Sequence, residues 1–187
     1  AQSVESVFNQ SYTNWELVII NEASDDNTSE IARELCKREP QKTTFIDNKK
    51  PLGLQKLANL VLSQANGKYM MRLDADDWLD ENALLLLVSK LENSSDSGLV
   101  FGNYYYTNQE GNVIGVETSF EENVGESLSK IPPHGACTLF RTRALKTVGG
   151  YSEDVNAQDG WDLWYKLSNR IGATSIRTPV FYYRQHS

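Results

Sequence analysis

The first half of the chain alternates short apolar runs with segments of helical periodicity. Leu17–Ile20 is an apolar run typical of a buried strand, and Thr44–Ile46 and Tyr69–Leu73 predict two more strands. Between the last two, apolar residues recur across Leu54–Ala65 at the spacing of one helix face, which predicts an amphipathic helix. This repeating order of strand and helix favours a parallel α/β sheet.

The second half is less regular and predicts mixed strand pairing. Leu99–Tyr105 and Val113–Val116 have the composition of two strands joined by a hairpin-like turn at Asn108–Gly111. The polar segment Ser119–Gly135 contains a Pro-Pro pair, which predicts a loop or a lid. Phe181–Tyr183 predicts a last strand. We therefore expect one mixed domain.

Composition narrows the classes of partner. The chain has 18 Lys and Arg against 25 Asp and Glu, a formal net charge of −7, which argues against nucleic acid as a partner. Cys36 and Cys137 are too few for a disulfide scaffold and favour a reducing compartment. The longest apolar stretch, Ala83–Val88, is far shorter than the roughly 18 residues of a membrane span. We expect no membrane span here and a cytoplasmic location.

Three carboxylates crowd into four positions where the third predicted strand ends. Asp74, Asp76 and Asp77 repel one another unless a cation lies among them. Mg2+ or Mn2+ favours one or two such carboxylates together with substrate phosphate oxygens. Ligands of open α/β sheets also bind beyond the carboxyl ends of the strands. The alternative interpretation is a solvated turn in which Asp77 or Asp80 caps the next helix.

Two further polar segments carry candidate site residues. Asn21–Asp26 follows the first predicted strand, and its side chains either accept hydrogen bonds from a base or ribose or cap the next helix. Asp159 and Asp162 lie three positions apart, hence on one helix face, beside tryptophans. A partly desolvated carboxylate there suits a general base, and an N-cap is the alternative. Spacing alone does not make His186 a metal ligand.

Taken together, these segments resemble glycosyltransferase family 2, the inverting transferases of the GT-A fold. Four motifs stand in the family's order: SVFNQSYTNWELVIINEASDDNT, GLQKLANLVLSQANGKYMMRLDADDWL, ACTLFRTRALKTVGGYSEDVNAQDGWDLWYKL and TPVFYYRQHS. The resemblance implies an α/β, Rossmann-like GT-A fold with a mixed, mainly parallel sheet flanked by helices. It implies a single domain over residues 1–187, truncated at both ends and lacking the family's first strand. Residues 1–98 would form the nucleotide-sugar-binding half and residues 99–187 the acceptor-binding half.

The resemblance also implies roles for individual residues. Asp74 and Asp76 match the family's DxD motif, in which Asp76 would bind the divalent metal and Asp74 would contact the ribose or donor sugar. Glu22 matches an aspartate that recognises the nucleobase. Asp159 matches the base that deprotonates the acceptor hydroxyl, and His186 matches a histidine that completes the metal site in some members.

Acceptor binding has two weaker candidates. Trp161 and Asp162 are assigned to it from their location alone. The implied reaction is metal-dependent, inverting transfer of a sugar from a nucleotide sugar, a UDP-sugar above others, to a hydroxyl of a glycan or lipid-linked acceptor. The expected setting is cell-surface polysaccharide synthesis, the expected cofactor is Mn2+ or Mg2+, and the longer protein is expected at the inner face of the membrane.

Departures from the family pattern keep a second interpretation open. Asn21-Glu22 replaces the usual Asp-Asp pair, Gln158 replaces a glutamate beside Asp159, and Ala58 replaces an arginine. These changes motivate a catalytically silent GT-A module that binds nucleotide or glycan without transfer. A nucleotidyltransferase is a weaker alternative, since no G-x-G-x-R segment is visible. A glycoside hydrolase also uses paired carboxylates but gives no reason for a cluster beside a nucleotide-type turn.

Overall fold

A computed structural model describes residues 1–118, 135–154, 159–168 and 170–186. Apart from Gly135, the predicted loop or lid lies outside the described residues. In chain order the elements are α1 (Gln2–Phe8), β1 (Leu17–Glu22), α2 (Thr28–Cys36), β2 (Thr43–Asn48), α3 (Leu54–Gln64), β3 (Tyr69–Met71), β4 (Trp78–Leu79), α4 (Ala83–Glu92), β5 (Leu99–Thr107), β6 (Val113–Glu117), β7 (Leu139–Arg141), α5 (Thr142–Thr147), α6 (Asp159–Ser168) and β8 (Ala173–Arg184).

The described strands form two sheets. β1 and β2 pair in parallel as a two-stranded sheet, while the larger sheet has the order β3-β7-β5-β8-β4, with β6 also paired to β5. Among the described strands of the larger sheet, only the β5–β8 pair is parallel. The mixed α/β class is therefore confirmed, with less parallel pairing than the sequence predicted.

The excess of antiparallel pairs has a topological cause. Parallel pairing of β3 requires a neighbour that reaches it through a crossover connection. Instead β7, which enters the sheet from the irregular second half, pairs with β3 in the antiparallel sense, with Tyr69 opposite Arg141 and Met71 opposite Leu139. The hairpin of β5 and β6 adds another antiparallel pair, as its turn sequence predicted.

Apolar cores lie on both faces of the larger sheet. Along β5, Leu99 and Phe101 pack into one core and Val100 into the other, because successive strand side chains point to opposite faces. Helices α3, α5 and α6 supply the first core, and α1 and α4 supply the second. Leu87 and Leu91 of α4 are completely buried. Within the described ranges no helix is both long enough and apolar enough to cross a membrane.

A hydrogen-bonded carboxylate joins β1, β2 and α2 at the carboxyl ends of the two strands. Asp47 accepts hydrogen bonds from Asn21 Nδ2 at 3.0 Å, Ser29 Oγ at 2.7 Å and Lys49 Nζ at 3.0 Å, and it pairs with Arg33 at 2.5 Å. The hydrogen bonds from Asn21, Ser29 and Lys49, in that order of effect, hold the pKa of the Asp47 carboxyl well below its usual range. The polar turn after β1 is thereby anchored to the neighbouring strand.

The Asp47 charge makes the stability of the fold depend on pH. We expect Asp47→Asn to lower Tm at neutral pH, because the folded state holds this carboxylate ionised more strongly than the unfolded chain does. The stabilisation is fully present above the ordinary carboxyl pKa of about 4 and is lost as the pH falls below it. Thermal melts from pH 7 to pH 3 should show that the difference in Tm between the wild type and Asp47→Asn narrows only below about pH 4. A Tm difference that stays constant over this range would contradict the stabilising role of the ionised Asp47 carboxylate.

Candidate functional site

Polar side chains gather where β3 ends, in the loop that carries three aspartates. Asp74 is held by Arg72, whose Nε lies 3.0 Å from Asp74 Oδ1. The backbone of the loop is fixed as well: Ser3 Oγ of α1 donates to the Asp74 carbonyl at 3.0 Å, and the Asp77 amide donates to the same carbonyl at 3.3 Å. The carboxylates of this loop are thus presented from an ordered turn at the carboxyl end of a strand.

The structure brings together the two residues that the resemblance assigned to a metal. His186 Nε2 lies 2.7 Å from Asp76 Oδ2, although the two residues are 110 positions apart in sequence. Both side chains are about half exposed. One carboxylate oxygen and one imidazole nitrogen therefore converge on a point that solvent and a ligand can reach.

The third aspartate of the loop has a different environment. The Asp77 side chain is buried, with 1% of its surface exposed, and its Oδ1 accepts a hydrogen bond from the Arg184 amide at 3.0 Å. Burial, opposed in part by that hydrogen bond, raises the pKa of Asp77 to about 6, and the charges of Asp76 and Asp74 act in the same direction as burial. Asp77 therefore does not cap the next helix. Asp80 accepts from the Asn82 amide at 3.0 Å just before α4.

Glu22 lies at the end of β1 and contacts the loop before α3. Its Oε1 accepts hydrogen bonds from the Gly53 amide at 2.8 Å and from the Leu52 amide. Gly53 has a φ of +94°, which favours glycine, and it precedes the first turn of α3. One oxygen of Glu22 thus braces this loop, and the role of Glu22 in base recognition stays a prediction.

The acceptor-side residues lie on α6. Asp159 is the first residue of this helix, and its side chain, like all of Gln158, lies outside the described residues. Trp161 is 39% exposed and contacts the Tyr165 ring. Asp162 Oδ2 pairs with Lys166 Nζ at 2.7 Å and accepts from the Ser152 amide at 3.1 Å. Although burial raises the pKa of Asp162, these partners lower it below its usual value. Its acceptor role stays a prediction.

A clamp that sequence reasoning missed ties the chain before α6 to α3. Asn59 Nδ2 donates to the Tyr151 carbonyl at 2.9 Å, and Asn59 Oδ1 accepts from the Tyr151 amide at 2.9 Å. Gly150 has a φ of +69°, and a Cβ there would lie 2.5 Å from Asn59 Oδ1. The Gly149-Gly150 pair in the sequence was the available signal, since close backbone approach requires glycine.

The described residues offer a partial metal-binding set. They contain no group of three or more His, Cys, Asp or Glu side chains arranged to hold a metal ion. Asp76 and His186 supply two suitable donors, an oxygen and a nitrogen, and a divalent ion bound by one or two protein ligands commonly completes its shell with water and substrate phosphate. The donor set fits a metal that binds together with a phosphate-bearing substrate.

Solved structures similar to this one are GT-A glycosyltransferases. Staphylococcus aureus TarS (residues 1–349), solved in complex with UDP, superposes with a TM-score of 0.80 at 16% identity, over 98% of this chain and 56% of that chain. The mannosyltransferase PcManGT from Pyrobaculum calidifontis, solved with GDP-Man and Mn2+, gives 0.74 at 18% identity, over 97% and 51%. These likenesses confirm the GT-A fold that the sequence predicted.

Comparisons of sequence identify the family. The sequence profile of Glycosyl transferase family 2 matches residues 1–149, so the chain belongs to this family of glycosyltransferases. It is 30% identical over 173 residues to an uncharacterized glycosyltransferase of Rickettsia bellii (strain RML369-C), over 90% of this chain and 24% of the relative. It is 29% identical over 168 residues to the poly-beta-1,6-N-acetyl-D-glucosamine synthase of Staphylococcus epidermidis, over 84% and 40%. The chain thus spans less than half of either relative.

Because Glu22 accepts hydrogen bonds from the loop before α3, its replacement should lower stability, an effect that can be measured without any nucleotide. Glu22→Ala should lower the free energy of unfolding by about 1 kcal/mol, because two backbone amides lose a charged acceptor. Glu22→Gln keeps an acceptor oxygen and should lose less than half as much. Denaturant unfolding measures both. Equal losses in the two variants would show that the charge, rather than the hydrogen bonds, stabilises the loop.

Proposed function

We propose that this chain is the donor-binding and catalytic domain of a metal-dependent, inverting glycosyltransferase. The proposed donor is a nucleotide sugar, a UDP-sugar above others, and the proposed acceptor is a hydroxyl of a glycan or lipid-linked glycan in cell-surface polysaccharide synthesis. The observation that carries the proposal is the 2.7 Å approach of Asp76 and His186 at the carboxyl end of β3, two residues from Asp74. Residues 1–98 would hold the donor and residues 99–187 the acceptor. The proposed location of this domain is the cytoplasm.

Relatives and structural neighbours support the classes of donor and product. TarS was solved with UDP, and PcManGT with GDP-Man and Mn2+. The Staphylococcus epidermidis relative is named as a synthase of a β-1,6-linked N-acetylglucosamine polymer. These names favour a nucleotide-sugar donor, a divalent cofactor and a polysaccharide product for this chain.

The donor side of the mechanism follows from the aspartate loop. Asp76 and His186 would hold the cation, which is Mn2+ or Mg2+, because their oxygen and nitrogen converge there. When bound, this ion offsets the negative charge that develops on the leaving diphosphate. Asp74, oriented by Arg72, would contact the ribose or the donor sugar. Glu22, at the carboxyl end of β1, would contact the nucleobase.

The acceptor side of the mechanism depends on α6. Asp159, in the first turn of this helix, would accept the proton of the acceptor hydroxyl as that oxygen attacks the anomeric carbon. The attack comes from the face opposite the leaving diphosphate, through an oxocarbenium-like transition state, and it inverts the anomeric centre without a covalent intermediate. Trp161 and Asp162, two and three positions after Asp159 in the same helix, would line the acceptor site.

Removal of the Asp76 charge should strongly weaken metal-dependent nucleotide binding. We expect Asp76→Asn to weaken binding of UDP in the presence of Mn2+ by at least about tenfold, because outer-shell changes alone cost that much and Asp76 is proposed as a ligand. Its Tm should change little, since the side chain is about half exposed. Calorimetric titration with UDP, GDP, dTDP and CMP, with and without Mn2+, gives the result and names the nucleotide.

The matched control for that titration is Asp96→Asn. Asp96 is an exposed carboxylate before β5, so the variant removes the same charge away from the aspartate loop. It should bind nucleotide as the wild type does. If Asp76→Asn and Asp96→Asn both kept full Mn2+-dependent binding, the proposed metal site would be wrong.

Loss of the proposed base should greatly slow sugar transfer and leave the affinity for the donor unchanged. Asp159→Asn should keep its affinity for UDP and Mn2+ within about twofold and lose about 10²- to 10⁴-fold in the rate of sugar transfer, the usual contribution of a general base. Release of UDP from the UDP-sugar, measured with a glycan acceptor, gives the rate. Asp154→Asn, an exposed carboxylate upstream of α6, is the matched control. Wild-type turnover in Asp159→Asn would refute the base assignment.

The same assay separates the transferase from the silent module. A wild-type chain that binds nucleotide tightly in the presence of Mn2+ but releases no sugar to any glycan acceptor would support the module. Substitution of Gln158 by glutamate, which restores the family's acidic pair, would then be the next variant to assay.

A further inference from the structure

Arg184, the last residue of β8, contacts three separate parts of the chain. Its Nε donates to the Asp76 carbonyl at 3.1 Å. One terminal nitrogen donates to the Gln109 carbonyl in the turn between β5 and β6, and the other donates to Gln2 Oε1 of α1 at 2.7 Å. The guanidinium also lies over the ring of Trp78, 4.9 Å from its centroid.

The backbone of Arg184 is held as firmly as its side chain. Its amide donates to Oδ1 of the buried Asp77, which is 107 positions away in sequence. The next amide, that of Gln185, donates to the Thr107 carbonyl at 2.9 Å. His186 therefore stands one residue beyond the last backbone anchor of this strand.

A stack of aromatic rings supports the guanidinium from behind. Trp78 lies parallel to Tyr182, with 5.1 Å between ring centroids, and Tyr182 lies against Tyr105 at 5.0 Å. Rings stacked in this way have little freedom to shift, since each fills the space beside the next. The carbonyl of Asp76 and the peptide of Arg184 are thus both tied to a rigid support.

The Asp76 and His186 side chains themselves are about half exposed, so packing around them does little to fix their separation. Arg184 donates a hydrogen bond to the backbone of Asp76, and only Gln185 separates it from His186 along the chain. Its own amide is bonded to Asp77, the residue after Asp76. The same arginine therefore fixes both members of the pair relative to each other.

We propose that Arg184, anchored by Asp77, is the positioning residue of the Asp76–His186 pair and sets its affinity for a divalent cation. The inference rests on the proposed function, since it gives the pair the role of a metal site. Residues that orient metal ligands commonly change metal affinity by about 10- to 100-fold when they are replaced. An arginine that served only to hold the fold together would act equally whether or not His186 were present.

The test is a Mn2+ titration in the presence of UDP, followed by the electron paramagnetic resonance signal of free Mn2+. Arg184→Met keeps an aliphatic stem over Trp78 and removes the guanidinium donors, so its Kd for Mn2+ should rise about tenfold. Arg184→Lys retains the charge but not the fork, and it should also weaken Mn2+ binding. It serves as the second variant if the methionine variant does not fold.

A double-mutant cycle separates positioning from general stabilisation. His186→Ala should weaken Mn2+ binding by at least as much as Arg184→Met does. The double variant should match His186→Ala within about twofold, because the arginine no longer has a pair to position. Additive losses would overturn the inference.

Two further variants sharpen the readout. Asp77→Asn keeps an oxygen for the Arg184 amide and should lose less affinity for Mn2+ than Asp77→Ala, which keeps none. Arg38→Met is the matched control, because Arg38 lies 5.1 Å over the Phe8 ring and pairs with Glu5 away from the aspartate loop. It should leave the Kd for Mn2+ unchanged.

The possible failures are distinguishable. If the wild type binds no Mn2+ with UDP, the proposed metal function is wrong and the inference falls with it. If the wild type binds Mn2+ and Arg184→Met binds it equally well, the inference alone is wrong and the proposed function stands.

Discussion

The hydrogen bond from the Arg184 amide to the buried Asp77 carboxylate helps to join the two distant segments that make the site, together with the bond from Arg184 Nε to the Asp76 carbonyl. Burial of the Asp77 carboxylate is costly, and the Arg184 amide offsets part of that cost at Oδ1, so this contact holds the end of β8 against the aspartate loop. The loop supplies Asp74 and Asp76 to the exposed edge, while the strand end supplies His186. The exposed chemistry therefore depends on a buried contact that takes no direct part in it.

Local patterns predicted much of this architecture. The apolar periodicity of α3 is confirmed, with Leu57, Ala58 and Leu62 buried. The apolar run Leu17–Ile20 lies within β1, which extends two residues further to Glu22, and the family motifs identified the fold. These features were readable because period and composition are properties of neighbouring residues, which a single sequence displays directly.

Pairings between distant segments were not readable in the same way. The antiparallel partnership of β3 with β7 depends on which strand reaches the sheet edge, and no residue of β3 specifies that. Spacing gave no reason to place His186 beside Asp76, and only the family resemblance joined them. Asp77 is buried although its neighbour Asp76 is about half exposed. This difference depends on the pairing of β8 beside the loop, which the local sequence does not show. The Asp162–Lys166 pair, by contrast, has the i, i+4 spacing that a helix brings together.

The turn after β1 gives a physical meaning to a departure from the family pattern. Asn21 is buried, its Oδ1 accepts from the Ser24 amide at 3.2 Å, and its Nδ2 donates to Asp47 Oδ1 at 3.0 Å. An aspartate at position 21 would oppose one carboxylate oxygen with another across that distance, whereas the amide offers a proton. Positions 21 and 47 thus form a matched donor and acceptor. Their evolutionary histories should be coupled, with an acid at one position requiring a neutral or donating partner at the other.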